Sequence, residues 1–161
     1  MTQHPSFPVS AILEKRPSSS PWADAYWRVT NILVGESSEQ THDMRLLQKQ
    51  GDTEQYLYPG LKVTLYVDEC ESYYHNMMSP NPSCYVITDQ ETDQAPIPFL
   101  VSMSFDEAHS YQEGGKEIYA VEIPSELYQW VENYVLDHYF PEKKRKRKLN
   151  DWKKTGGNIR A

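Results

Sequence analysis

Five carboxylates recur in this chain in a way that could support chemistry. Asp68, Glu69 and Glu71 follow an alternating apolar run at 61–67, and Asp106 and Glu107 follow a similar run 38 residues later. Neighbouring acids in different surroundings can divide the work of a general acid and a general base, and converging carboxylates can hold a hard cation. Each group also has a structural role open to it. Asp68 with Glu71, and Ser104 with Glu107, have the spacing of helix capping boxes, and acids in a first turn complement the helix dipole. If the two runs lie side by side, the two sets of acids converge. No HExxH or EF-hand spacing accompanies them, so the residues ask for no metal and no cofactor, and capping on a solvated face is the preferred reading.

Other constellations are absent. The histidines (His4, His42, His75, His109 and His138) are scattered, although His75 and His109 both fall late in the expected short helices, where they suit the dipole. No GxSxG, GxGxxG or Walker-type loop occurs. Cys70 and Cys84 form no CxxC pair and are expected to be buried thiols. Trp22, Trp27 and Trp130 read as core.

The elements that must position the acids can be drawn from periodicity. Alternation predicts strands with inward Phe7, Val9, Ala11 and Leu13; with Trp27, Val29 and Leu33 on one face of 25–34; and a weaker one at 45–48. After an extended 56–58, Pro59-Gly60 is expected to punctuate entry to a strand with Leu61, Val63, Leu65 and Val67 inward. A short helix follows, with Cys70, Tyr73, Tyr74 and Met77 on one stripe. Residues 84–88 read as a central strand. A second strand and helix repeat the pattern, with Phe99, Val101, Met103 and Phe105 at the spacing of 38, Ser104 as cap, and Phe105 and Ala108 facing in. Internal ββα duplication and chance both remain open for this match. Strand 118–123 leads through Pro124-Ser125 to the one long helix, 126–139, with Leu127, Trp130, Val131, Tyr134, Val135 and His138 as its stripe. The fold class is therefore α+β: a curved, mainly antiparallel sheet or partial β-barrel of about seven strands, with two short helices and one longer C-terminal helix. Twelve Tyr and eleven Pro against seven Gly suit that assignment better than a helical bundle.

Charge divides the chain. Residues 141–161 hold nine of the sixteen Lys and Arg but two of the twenty-three acids, so the net −7 separates into −14 for residues 1–140 and +7 for the rest. Residues 1–140 read as one domain, and 141–161 as a basic tail that is flexible or ordered by a partner. Lys143, Lys144, Arg145, Lys146, Arg147 and Lys148 form its partner-binding candidate. Six consecutive cations suit an acidic protein surface, a phosphate backbone, or the chain's own acidic body. No run is apolar and long enough to span a membrane, and the first residues lack a signal-peptide pattern, which sets a cytoplasmic expectation.

Several stretches together carry a family resemblance: ILEKRP at 12–17, SPW at 20–22, WRV at 27–29, the run 61–76, VSMSFDEA at 101–108 with Tyr111, VEIP at 121–124, and His138 with the basic run from Glu142. In this order they resemble a bacterial domain-of-unknown-function family (family 3305), over roughly residues 7–148. Its members are known mainly as products of genes beside those for molybdenum- or tungsten-dependent formate dehydrogenases, and some are labelled molybdenum-cofactor biosynthesis proteins. The sequence departs at Cys70, where the family pattern leads one to expect threonine, so a redox role for Cys70 is not a family feature. The resemblance brings no established catalytic residues, but it marks Arg16, Trp22, Arg28, Tyr73, Asn76 and Tyr111 as a candidate family-motif surface. It implies a non-enzymatic accessory role in assembly, maturation or regulation of formate dehydrogenase, through contact with a subunit or maturation factor. The alternatives are a nucleic-acid-binding regulator acting through the basic tail, and an enzyme handling a metal or cofactor in molybdenum-cofactor metabolism.

Overall fold

The computed structural model describes residues 4–19, 21, 25–35, 44–91 and 94–139. Along the chain these form β1 (Ser6–Pro17), β2 (Ala25–Val34), β3 (Arg45–Gln50), β4 (Thr53–Thr64), a 3-10 turn (Val67–Glu69), α1 (Cys70–Met77), β5 (Ser83–Asp89), β6 (Ile97–Ser102), α2 (Phe105–Glu113), β7 (Glu117–Glu122) and α3 (Ser125–His138). The α+β class, the seven strands and the three helices agree with the expectation.

One sheet runs in the order β2-β1-β4-β6-β5-β7, with β3 added beside β4. Its outer strands β2 and β7 also touch, so the sheet is nearly closed. Every pairing is antiparallel except β4 with β6, which run parallel with Val63 opposite Val101. β5 lies between β6 and β7, and its Cys84, Val86, Ile87 and Thr88 are all buried. An unbroken apolar run is what a strand covered on both faces requires.

The core gathers Val9, Ala11 and Leu13 of β1, then Leu61, Val63 and Leu65, with Val86 and Val101 beside them. Tyr73 and Met77 from α1 and Leu127, Val131 and Val135 from α3 cover it. Burying each large side chain contributes about 1.5–3 kcal/mol, so the amphipathic stripes of these helices are what dock them. His138, placed on that stripe by its spacing, is exposed instead; its Nδ1 lies 2.9 Å from the Tyr134 carbonyl oxygen.

Two bulges correct the strand readings. In β2 an extra residue, Thr30, falls between Val29 and Asn31, which face Leu13 and Ile12. The extra residue reverses the alternation, so Ile32 is buried and Leu33 is 49% exposed. Pro59-Gly60 does not separate two strands: β4 runs through it, bulging where Tyr58 and Leu61 face Ala11 and Val9. Gly60 has φ +83, which a residue without Cβ adopts freely. β4 then ends at Thr64, and the chain tightens into the 3-10 turn, leaving Val67 outside rather than inward.

Both cysteines are free and buried. Burial pushes the Cys84 thiol up to about 12 and raises Cys70 as well. At pH 8 the Cys84 thiolate is then scarcer than that of a free cysteine by roughly 10³-fold. Iodoacetamide should label Cys84 in the native protein slower by about that factor, and at full speed after unfolding in guanidinium. Mass spectrometry of timed samples measures this; native labelling as fast as that of a peptide would contradict the packing described.

Candidate functional site

The two strand-to-helix units meet because their strands are parallel neighbours. Val63 faces Val101 across the β4–β6 pair, and these two residues are equivalent at the spacing of 38. Parallel strands in register end at the same edge of the sheet, so whatever follows each one emerges side by side. The correspondence continues beyond the strands: Leu65 and Met103 are fully buried, whereas Val67 and Phe105 are 51% and 54% exposed. The inward placement expected of Phe105 is thus corrected, because it opens a helix instead of continuing the strand. Its ring stands in the open, edge-on to Tyr85 and stacked on His109.

A hydrogen-bonded bridge locks the two helix starts together. Ser104 caps α2 as expected, its hydroxyl accepting from the Glu107 N–H at 3.0 Å. The same hydroxyl donates to Glu69 Oε1 at 2.5 Å and lies 3.0 Å from the Ser72 hydroxyl. The box is completed indirectly: the Ser104 N–H donates to the Ser102 hydroxyl, which donates to Glu107 Oε1 at 2.6 Å. The unit before α1 is built differently. Tyr66 stands where Ser104 stands in the second unit and supplies no side-chain cap, and Asp68 does not cap the helix either. The Tyr66 N–H instead donates to the buried Tyr73 hydroxyl at 3.0 Å. Asp68 is therefore corrected from cap to exposed carboxylate.

Between these helix starts lies an open cleft of about 530 Å³, lined by Asp68, Glu69, Glu71, Asp106, Ser72, His75, Asn76, Ser79, Tyr85 and Phe105. Four of the five carboxylates singled out by spacing line it; the fifth, Glu107, is held by Ser102. His75 is paired with Glu71 at 3.6 Å, and both are well exposed. Among the described residues no Lys or Arg lines the cleft, and no three His, Cys, Asp or Glu side chains are grouped as a metal ion would need. Ser104 is committed to capping and to Glu69, so its hydroxyl is spoken for. What remains is a set of carboxylate oxygens beside an exposed aromatic face. That combination suits ammonium and guanidinium groups, which carboxylates hold by charge-assisted hydrogen bonds and aromatic faces by cation–π attraction.

The candidate motif surface does not assemble as one. Tyr73 is fully buried and belongs to no surface, while Asn76, 6% exposed, reaches only the wall of the cleft. The Asn76 amide nitrogen donates to the carbonyls of Ser83 and Met103, and its Oδ1 accepts from the Ser83 N–H. Arg16 and Arg28 flank Glu14 on β1 and β2, at 2.8 and 3.5 Å. Tyr111 lies on α2, its ring edge-on to Phe99. Trp22 and the basic run (Lys143, Lys144, Arg145, Lys146, Arg147, Lys148) lie outside the described residues. Sequence reasoning missed Ser72, Ser102 and Tyr85. Ser72 carried a signal, since it matches Ser110 at the same spacing; Ser102 and Tyr85 carried none.

Among the described residues, no helix is long and apolar enough to cross a membrane. Comparison with curated proteins and with solved structures finds no match. A family model described as "Protein of unknown function (DUF3305)" matches residues 8–148. That span takes in every strand from β2 onward, all three helices and both walls of the cleft, and the chain belongs to this family.

Proposed function

We propose that this chain is a non-enzymatic, cytoplasmic accessory protein that works by docking, with the cleft between the starts of α1 and α2 receiving a cationic segment of a partner protein. The observation that carries this reading is the convergence of four carboxylates and an exposed phenyl ring on an open cleft that no described Lys or Arg lines. The family resemblance supplies the setting: assembly, maturation or regulation of a molybdenum- or tungsten-dependent formate dehydrogenase, the partner being one of its subunits or a maturation factor. The test is capture from cells expressing formate dehydrogenase, followed by mass spectrometry for its subunits and maturation factors. Replacing Asp68→Asn, Glu71→Gln and Asp106→Asn together is expected to cut recovery about tenfold or more. These side chains are exposed, so the variant should melt with the native protein. If neither protein recovers a formate dehydrogenase component, the reading loses its support.

A second reading rests on the six consecutive cations at 143–148, which suit a phosphate backbone. A salt titration against generic DNA and RNA separates the two. Binding that weakens steeply with salt and disappears when those six residues become Gln favours nucleic acid; no binding at low salt removes it.

A further inference from the structure

We infer that the opposite end of β4 from the cleft holds an oxyanion pocket, in which Lys15, Arg16 and Lys49 take a phosphate group. The pocket shares no residue with the cleft and does not depend on the docking reading.

It forms where three pieces of chain stop or turn together. β1 ends at Pro17, β2 begins at Ala25, and a turn through Gly51 and Asp52 joins β3 to β4. These enclose a cavity of about 400 Å³ whose charged lining is Lys15, Arg16, Lys49, Asp52 and Glu54. That volume lies within the range of small-molecule sites, roughly 300–1,000 Å³. Strand register explains why the lysines converge. Trp27, Lys15, Glu54 and Lys49 stand on one rung across β2, β1, β4 and β3, and directly opposed residues share a face. β1 and β3 flank β4 at about 5 Å on either side, so two long cationic side chains reach over a single glutamate. Lys49 Nζ lies 3.8 Å from Glu54 Oε2, and Lys15 Nζ lies 5.4 Å from the centre of the Trp27 ring.

The cations here are concentrated against the trend of the molecule. Residues 1–140 carry a net −14 and only seven Lys and Arg, yet five of these (Lys15, Arg16, Arg28, Arg45 and Lys49) lie on β1, β2 and β3. Gathering them at one end gives that end a local positive field. The acids among them are already engaged. Glu54 accepts from the Tyr56 hydroxyl, which together with Lys15 and Lys49 holds its carboxyl below the ordinary value. Glu14, its side chain 12% exposed, lies 2.8 Å from Arg16 Nε and 3.5 Å from Arg28 Nε. Each carboxylate thus stands between two cations and offsets only one. Among the described residues no carboxylate pairs with Lys15, whose ammonium rests over the indole instead.

The donors select the anion. Arg16 offers a planar fork, and the two lysines offer point charges from separate strands. A carboxylate has two oxygens, which the fork alone satisfies. A phosphate monoester has three terminal oxygens and about −1.5 to −2 charge at pH 7, so it uses all three side chains.

Calorimetric titration of the full chain with inorganic phosphate and with glycerol phosphate, at low ionic strength, tests the site. Tighter binding of the ester assigns the pocket to a phosphorylated small molecule, tighter binding of the ion to phosphate itself, and either supports it. Acetate is expected to bind at least tenfold more weakly than the better of the two. Changing the six cations at 143–148 to Gln should leave the affinity as it is, whereas Lys15→Gln with Lys49→Gln should lower it at least tenfold. Glu54→Gln should raise it severalfold, because the amide oxygen still accepts from Tyr56 while a negative charge leaves the pocket; a protein that fails to fold produces no such gain. No binding by the native chain, binding lost with the cations at 143–148, or acetate bound as tightly as phosphate overturns the inference. So does an affinity unchanged by the two lysine substitutions or not raised by Glu54→Gln.

Discussion

Replacement of Asn76 by Ala is expected to lower the stability of this protein by about 3–5 kcal/mol. The side chain is 6% exposed and makes three bonds to main-chain groups: to the Ser83 carbonyl at 2.7 Å, the Met103 carbonyl at 2.9 Å, and the Ser83 N–H at 3.1 Å. A buried polar group left without a partner costs about 1–3 kcal/mol; alanine leaves the buried Met103 carbonyl in that state, together with the N–H and carbonyl of the half-buried Ser83. These bonds tie the end of α1 to the start of β5 and the end of β6, which are the segments that frame the cleft. Asn76→Asp provides the control. It keeps an acceptor for the Ser83 N–H but turns a carboxylate oxygen towards two carbonyls, so it should be no more stable than the alanine variant. Urea denaturation with an unchanged slope measures both. A loss below about 1 kcal/mol for Asn76→Ala would show that water replaces these bonds and that the segments hold their positions without them.

The contrast between Asn76 and Val63 shows which parts of this molecule were legible in advance. Val63 and Val101 shared a period-two pattern at a fixed spacing, and the structure sets those two residues opposite each other in neighbouring strands. Periodicity reports which face is buried, and the burial of an apolar face is a strong enough force to fix an element's place. A single buried amide has no periodicity. Asn76 looked like a polar residue of a surface motif, because nothing local announces that its partners lie at Ser83 and Met103. Leu33 failed for a different reason. Alternation assumes that no residue is inserted, and the bulge at Thr30 moved Ile32 inward in its place. At the cleft, spacing identified the carboxylates but not their arrangement. That depended on β4 and β6 being parallel, a pairing that no local pattern specifies, and on Tyr66 occupying the position that Ser104 holds in the second unit.

Ser104 is where architecture and proposed function are most tightly joined, so Ser104→Ala is the second substitution expected to have a large effect. The residue is fully buried. Its hydroxyl accepts from the Glu107 N–H at the start of α2 and donates to Glu69 Oε1 beside α1. Losing a serine cap costs about 0.5–2 kcal/mol, and losing a hydrogen bond to a charged group adds about 1.5–3 kcal/mol. The expected total is about 2–5 kcal/mol by thermal or urea denaturation. Glu69→Gln should cost less, since the amide oxygen still accepts from the serine. A double-mutant cycle with Glu69→Ala and Ser104→Ala should give a coupling of about 1–3 kcal/mol. Ser104 does not line the cleft, so affinity for a basic peptide separates its bridging role from its cap. If the bridge holds the two acidic walls in register, Ser104→Ala should weaken binding of a short lysine- and arginine-rich peptide severalfold, although every lining carboxylate is retained. Unchanged affinity alongside the full stability loss would mean that the walls keep their spacing without the Glu69 bond, leaving Ser104 as a helix cap alone.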